Sequence, residues 1–190
     1  VDFGKSVAID TETLGLNPLR DALCLAQLSG GDGHCHVVRL DRKSYKAPNL
    51  VRLLEDPEVV KIFHYARFDV AVFQRYLNVS TTPVWCTKLA SKLVRTYTDK
   101  HGLKDLVKEL LDVDLSKQQQ SSDWGASKLS DAQLAYAASD VLHLHKLKST
   151  LENMLVREGR LDLAQKCFAF IGTRATLDLG GWSEEDIFAH

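Results

Sequence analysis

A short apolar run ending on two acids one residue apart constrains this chain more than any other stretch: Ser6-Val7-Ala8-Ile9-Asp10-Thr11-Glu12-Thr13. Side chains of an extended segment alternate faces with period two, so Asp10 and Glu12 share one face and Thr11 takes the other. Val7, Ala8 and Ile9 suit a strand covered on both sides, with the acids at its C-terminal end, where open α/β sheets collect ligands. Two carboxylates about 4 Å apart repel by roughly 4 kcal/mol at an effective dielectric of 20. A semi-buried pair therefore needs protons or cations.

With 190 residues, 45% of them hydrophobic and 26% charged, the chain is long enough to bury a core without disulfide or metal staples. Nothing approaches 18 consecutive apolar residues, so neither a membrane span nor a signal peptide is expected. The sequence opens at Val1 and enters a strand almost at once, which makes a missing leader weak evidence. Cys24, Cys35, Cys86 and Cys167 lack C-x-x-C spacing and point to free thiols in a reducing cytoplasm. His34-Cys35-His36 fits an ordinary strand better than a metal site. A net charge of −1 leaves any nucleic-acid argument to local clusters.

Along the chain, Ala22 to Ser29 is predicted as a second strand, Gly30-Gly31-Asp32-Gly33 as a tight hairpin, and His34 to Leu40 as a third strand, the three antiparallel. The glycine-rich turn lacks G-x-G-x-x-G order and precedes a strand, which excludes a phosphate loop. Asn49 to Glu55 is a short helix, Val59 to Phe63 a strand and Ala66 to Leu77 an amphipathic helix. Beyond these, Thr87 to Thr96, Gly102 to Leu111, Ser130 to Met154 and Arg160 to Ile171 show helical spacing.

Two more acids stand out. Asp69 projects among Ala66, Val72, Phe73 and Tyr76, with no Lys or Arg three or four residues away. Asp140 flanks the stripe Leu134, Ala137, Val141, Leu144, Lys148, Leu151 and Leu155 of one long helix opened by a Ser130-x-x-Gln133 capping box. It too lacks a local cation. Tyr136 precedes it by four residues and shares its face. Each acid alone fits a solvated surface group or a distant ion pair, and Tyr136 alone fits a core phenol. Together, a shared pair of divalent ions is the economical solution, because oxygen-preferring metals neutralise clustered carboxylates. The tyrosine can then orient a water without a side chain that titrates near neutrality.

The segments VAIDTETLGL, HYARFDVAVF and YAASDVLHL resemble the three motifs of the DEDD 3′-to-5′ exonuclease superfamily in its tyrosine (DEDDy) branch. The runs CTKLASKLVRTY, GLKDLVKELL and SKQQQSSDW are similar to the exonuclease domain of ribonuclease D, here without its helical accessory (HRDC) domains. The resemblance implies an α/β, ribonuclease H-like (DnaQ-like) mixed sheet, its first three strands antiparallel, flanked by helices. It makes Asp10, Glu12, Asp69 and Asp140 ligands of two Mg²⁺ or Mn²⁺ ions, with Tyr136 positioning the attacking water. Asp69 and Asp140 join Asp10 at the first ion, and Glu12 joins Asp10 at the second. The histidine branch would place its His at position 135, which is Ala135.

The implied activity is hydrolysis at the 3′ end of single-stranded RNA or DNA, releasing 5′-monophosphates, with ribonuclease D-like RNA processing or turnover favoured. The alternatives are a non-hydrolytic nucleic-acid-binding module and a phosphatase of small nucleotides. Thr13 and Leu16 match contacts to the terminal nucleotide. Tyr65 stands where proofreading relatives often have Asn, and Cys86 where many ribonuclease D relatives have Asp; both departures bear on substrate contacts. Lys88, Lys92, Arg95, Lys100, Lys104 and Lys117 offer a phosphate-binding rim, or else solvated helix faces. For Trp124 and Trp182 core packing is favoured over base stacking. His64, His101 and His143 fit structural roles. Residues 1–172 form the exonuclease domain, and 173–190 a tail packed on the body or on a partner subunit, which admits a homo-oligomer.

Overall fold

The computed structural model covers residues 1–190 and describes 1–116 and 122–190. Lys117 and the center of the SKQQQSSDW run lie outside the described residues. Five strands, β1 (Ser6–Thr13), β2 (Leu23–Ser29), β3 (His36–Arg39), β4 (Val60–Phe63) and β5 (Val84–Cys86), form one sheet in the order β3-β2-β1-β4-β5. β1 to β3 are antiparallel neighbours, whereas β4 pairs parallel with both β1 and β5. The acid-bearing strand is thus central, hydrogen-bonded on both sides. Its register with β2 shifts between Glu12 and Thr13, an irregularity of the kind that re-aims side chains beside functional sites.

The helices are α1 (Pro48–Glu55), α2 (Ala66–Leu77), α3 (Thr87–Val94), α4 (Leu103–Leu111), α5 (Asp131–Leu142), α6 (Leu144–Arg157) and α7 (Leu161–Leu177). α6 buries Leu144, Leu147, Leu151 and Leu155, and α7 buries Ala164, Phe168, Ile171 and Ala175. These single-face stripes pack with Val7, Ile9, Ile62 and Phe63 of the sheet in one continuous core. A smaller cluster of Cys24, Leu25, Trp124 and Ala137 lies between β2 and α5, with Tyr136 against it. No helix among the described residues is long and apolar enough to cross a membrane.

Several expectations are corrected. The single helix from Ser130 to Met154 is two helices, broken at His143. Its burial stripe changes accordingly: Leu134 is exposed and Leu147 is buried. β5 is a strand that the sequence pattern does not reveal, because three residues are too few for a period to register. Arg95 belongs to the interior rather than to a basic rim: its guanidinium donates to Ser91 Oγ at 3.0 Å and to the Lys100 carbonyl at 2.6 Å, and pairs with Glu109. The helix predicted over Arg160 to Ile171 is α7, which runs on to Leu177. Just beyond it Asp178 accepts Arg67 Nε at 2.6 Å and Arg174 Nη2 at 2.7 Å, which ties the start of the tail to α2.

Candidate active site

β1 carries its acids to the end of the sheet that α5 covers. Asp10 sits opposite Gln27 of β2, and Glu12 opposite Leu25. Asp140 enters from α5, whose start is fixed by the Ser130–Gln133 capping box. Ligand oxygens of Asp10, Glu12 and Asp140 all lie within 4.8 Å of one another. Asp69 is not part of that group. Its carboxylate, on the first turn of α2 and 3% exposed, accepts a 2.6 Å hydrogen bond from the Thr11 hydroxyl. Thr11 is the strand residue that alternation turns away from Asp10 and Glu12, so β1 presents acids on one face and a holder for the fourth acid on the other. The fourth acid still acts on the group, because the charge of Asp69 presses on Asp10 more than that of any other acid.

The electrostatics follow from burial, with no cation among the causes that raise Asp10, Glu12, Asp69 and Asp140. Asp10 is raised well above the usual carboxylate range by burial, with the charges of Asp69, Asp140 and Glu12 adding. Burial, then Asp140 and Asp69, push Glu12 up to about 9 against a hydrogen bond from Gln27. Asp69 rises to about 7 by burial, restrained by the Thr11 bond. Asp140 also rises to about 7 by burial, opposed by a hydrogen bond from Tyr136. The Tyr136 phenol is itself raised by burial and by the charges of Asp140, Glu12 and Asp10, so it keeps its proton and donates. Such a set binds protons or hard cations strongly.

The donor chemistry fits divalent ions that prefer oxygen. Gln27 contributes a further clue: its amide donates to Glu12 at 3.2 Å while its own Oε1 is buried with no partner among the described residues. Neither Thr11 nor Gln27 is visible as a site residue in the sequence. The strand register and the long-range meeting of β1 with α2 are what reveal them.

Leu16 is 89% exposed on the turn after β1. That turn is braced by the Thr13 hydroxyl on the Gly15 carbonyl and by Asn17 N–H on Asp21 Oδ2 at 2.9 Å. Leu16 and Tyr65 line one cavity of about 210 Å³ together with Arg67, Asp178 and Ser183. Tyr65 occupies a left-handed backbone conformation, φ 68°, at the start of α2. Its ring lies 4.2 Å from the Lys88 ammonium, within cation–π range. His64 is no catalytic base: burial lowers it to about 3, and its Nδ1 lies 2.8 Å from the Thr87 hydroxyl.

Comparison with known proteins fits this geometry. Residues 2–156 match the family model described as 3′-5′ exonuclease. Ribonuclease D of Gluconacetobacter diazotrophicus is 39% identical over 170 residues, covering 90% of this chain and 43% of that protein. The chain thus spans about two fifths of the length of the ribonuclease D relatives it matches. A solved structure described as Brucella melitensis NrnC with bound Mg²⁺ is 58% identical, with a TM-score of 0.95, covering 98% of this chain and 91% of that one. The same protein bound to pGG is 59% identical with the same coverage and TM-score. Escherichia coli RNase D superposes with a TM-score of 0.79 at 25% identity, over 90% of this chain and 45% of that one.

Proposed function

The chain belongs to the 3′-5′ exonuclease family, and from that premise we propose that it hydrolyses phosphodiester bonds at the 3′ end of single-stranded RNA or DNA, releasing 5′-monophosphates. The observation that carries this reading is the convergence of Asp10, Glu12 and Asp140 within 4.8 Å, with Tyr136 one helical turn before Asp140 on α5. Asp10 and Asp140, joined by Asp69, would hold one divalent ion, and Asp10 with Glu12 a second. Bound there, two such ions supply a nucleophile at neutral pH and stabilise charge on the leaving 3′ oxygen.

The chain's own groups do the positioning. Thr11 holds the Asp69 carboxylate, and Gln27 holds that of Glu12. Tyr136, with its proton retained, orients the attacking water as a hydrogen-bond partner rather than abstracting its proton. Leu16 and Tyr65, in their shared cavity, receive the terminal nucleotide. Because the NrnC relative is described as bound to pGG, short RNA is the favoured substrate, in a ribonuclease D-like role in RNA turnover. Free thiols at all four cysteines agree with a reducing, cytoplasmic setting.

The test is a degradation ladder from 5′-labelled RNA and DNA, each single-stranded and duplex, with Mg²⁺, Mn²⁺ or EDTA. Stepwise shortening of single strands from the 3′ end, abolished by EDTA, is expected. Binding without shortening would instead make the chain a non-hydrolytic module.

Two substitutions examine the supporting groups. Tyr136→Phe is expected to lower kcat by about 10²–10³-fold while calorimetric Mg²⁺ affinity changes less than about twofold; undiminished turnover removes Tyr136 from the chemistry. Thr11→Val is expected to weaken Mg²⁺ binding by roughly tenfold, as loss of a hydrogen bond behind a metal ligand does. An unchanged binding isotherm would show that Asp69 is oriented by something else.

A further inference from the structure

We propose that Trp124 is a positioning residue for Tyr136, clamped by Arg39 and Arg42 so that its indole fixes the phenol against Asp140. The inference rests on the proposed role of Tyr136 and extends it to a loop that carries none of the family's acids.

Trp124 is 3% exposed, and its ring centroid lies 6.0 Å from that of Tyr136 with the planes at 37°. It also packs with Cys24, Leu25 and Ala137, which fixes the indole from the β2 side. The segment around it is not regular secondary structure, yet hydrogen bonds hold it on several sides. Gly125 N–H donates to Asp123 Oδ1 at 2.9 Å, and Gln133 Nε2 donates to the Asp123 carbonyl at 3.2 Å. Gln133 also completes the capping box of α5, so one side chain couples the start of the Tyr136 helix to the Trp124 loop. From the far edge of the sheet, Arg39 donates to the Ser127 carbonyl at 2.6 Å and to that of Ala126, and Arg42 to the Gly125 carbonyl at 3.1 Å. Hydrogen bonds from a guanidinium are about twice as strong as neutral ones, and here they grip the backbone of the three residues that follow the indole, while the Gln133 amide holds the one before it.

A second observation argues that this tryptophan is not kept for stability. Its Nε1 is buried with no partner among the described residues, and an unsatisfied buried donor costs about 1–3 kcal/mol. Phenylalanine would fill much of the same space without that cost. What indole adds is a broader flat face against Tyr136, whose phenol feels the charge of Asp140 more than that of any other acid. Held between ring and carboxylate, the phenol has little freedom to rotate, and such loss of freedom before substrate arrives is how positioning groups raise kcat.

The experiment compares Trp124→Phe, Trp124→Ala and Arg39→Gln, each alone and combined with Tyr136→Phe, by kcat, KM and thermal midpoint. Trp124→Ala is expected to lower kcat roughly 10- to 100-fold with KM within about twofold, Trp124→Phe to recover part of the loss, and Arg39→Gln to fall between. In the Tyr136→Phe background the same changes should cost less than about twofold, because residues acting through one group are not additive. Equal losses in both backgrounds, or a change in KM alone, would overturn the proposal. Should Trp124→Ala fail to fold, Trp124→Phe and Arg39→Gln carry the same comparison.

A readout independent of turnover is the flip rate of the Tyr136 ring by NMR on ¹³C-tyrosine-labelled protein. It should rise in Trp124→Phe and Arg39→Gln, and an unchanged rate overturns the proposal. Absence of hydrolysis by the parent chain would instead defeat the reading of the active site, a distinct result.

Discussion

Asp10→Asn is expected to lose turnover by about 10⁴-fold or more, while its metal-free form melts higher than the parent chain at pH 8. Both effects have one cause. Asp10 is the acid that both proposed ions would share, and it is also the acid on which burial and the charges of Asp69, Asp140 and Glu12 converge. Removing its charge removes the ligand and relieves its neighbours. The measurements are steady-state hydrolysis of a 5′-labelled oligonucleotide and a thermal melt in EDTA. A variant that keeps a tenth of parental turnover would take Asp10 out of the chemistry. One that loses activity and melts lower in EDTA would show that the carboxylate supports the fold instead of straining it.

Stability of the metal-free chain should fall as pH rises from about 5 to 9, and Mg²⁺ or Mn²⁺ should restore it. Asp69 and Asp140 are raised to about 7, and Glu12 to about 9, above the unfolded values near 4. Across that window the folded chain binds more protons than the unfolded one, so unfolding free energy declines with pH. The stabilising contribution of the protonated acids is full below about pH 4 and is lost as the pH passes through the folded values. A few kcal/mol of this linkage lowers the midpoint by on the order of 10 °C in a chain of this size. Divalent ions that bind only the folded state reverse the loss by mass action. A melting temperature in EDTA that is flat or rising between pH 5 and 9 would contradict the raised affinities.

Much of this was legible before any coordinates, and the legible parts share a reason. β1 announces itself by an apolar run ending on acids, and α2 occupies the very bounds, Ala66 to Leu77, that its spacing predicts. In both, local pattern and tertiary environment agree. What stayed hidden depends on contacts distant in sequence. The Thr11–Asp69 bond spans 58 positions, and no periodicity reports it. Arg95 looks like a surface cation at a helix end until Glu109, Ser91 and the Lys100 carbonyl are brought around it. The break at His143 escapes detection because Val141 and Leu144 stay in phase across it, and neither Gly nor Pro marks the junction. Of the proposed site, the acids and Tyr136 are singled out by spacing and family resemblance, and the structure gathers Asp10, Glu12 and Asp140 within 4.8 Å. The separate holding of Asp69 and the hydrogen bonds from Arg39 to the Ala126 and Ser127 carbonyls beside Trp124 come only from the folded chain.

The position of β1 between β2 and β4 carries a last consequence. Crowded carboxylates loosen whatever bears them, and an edge strand so burdened would fray at neutral pH. Here the load sits on a central strand whose first half is laddered to β4 over Ser6–Ala8 and whose acids are laddered to β2, so its anchored half resists fraying of the half that bears the charge. The protein can therefore keep a poised, ion-hungry cleft without giving up local order, much as an arch sets its heaviest stone where both sides bear on it.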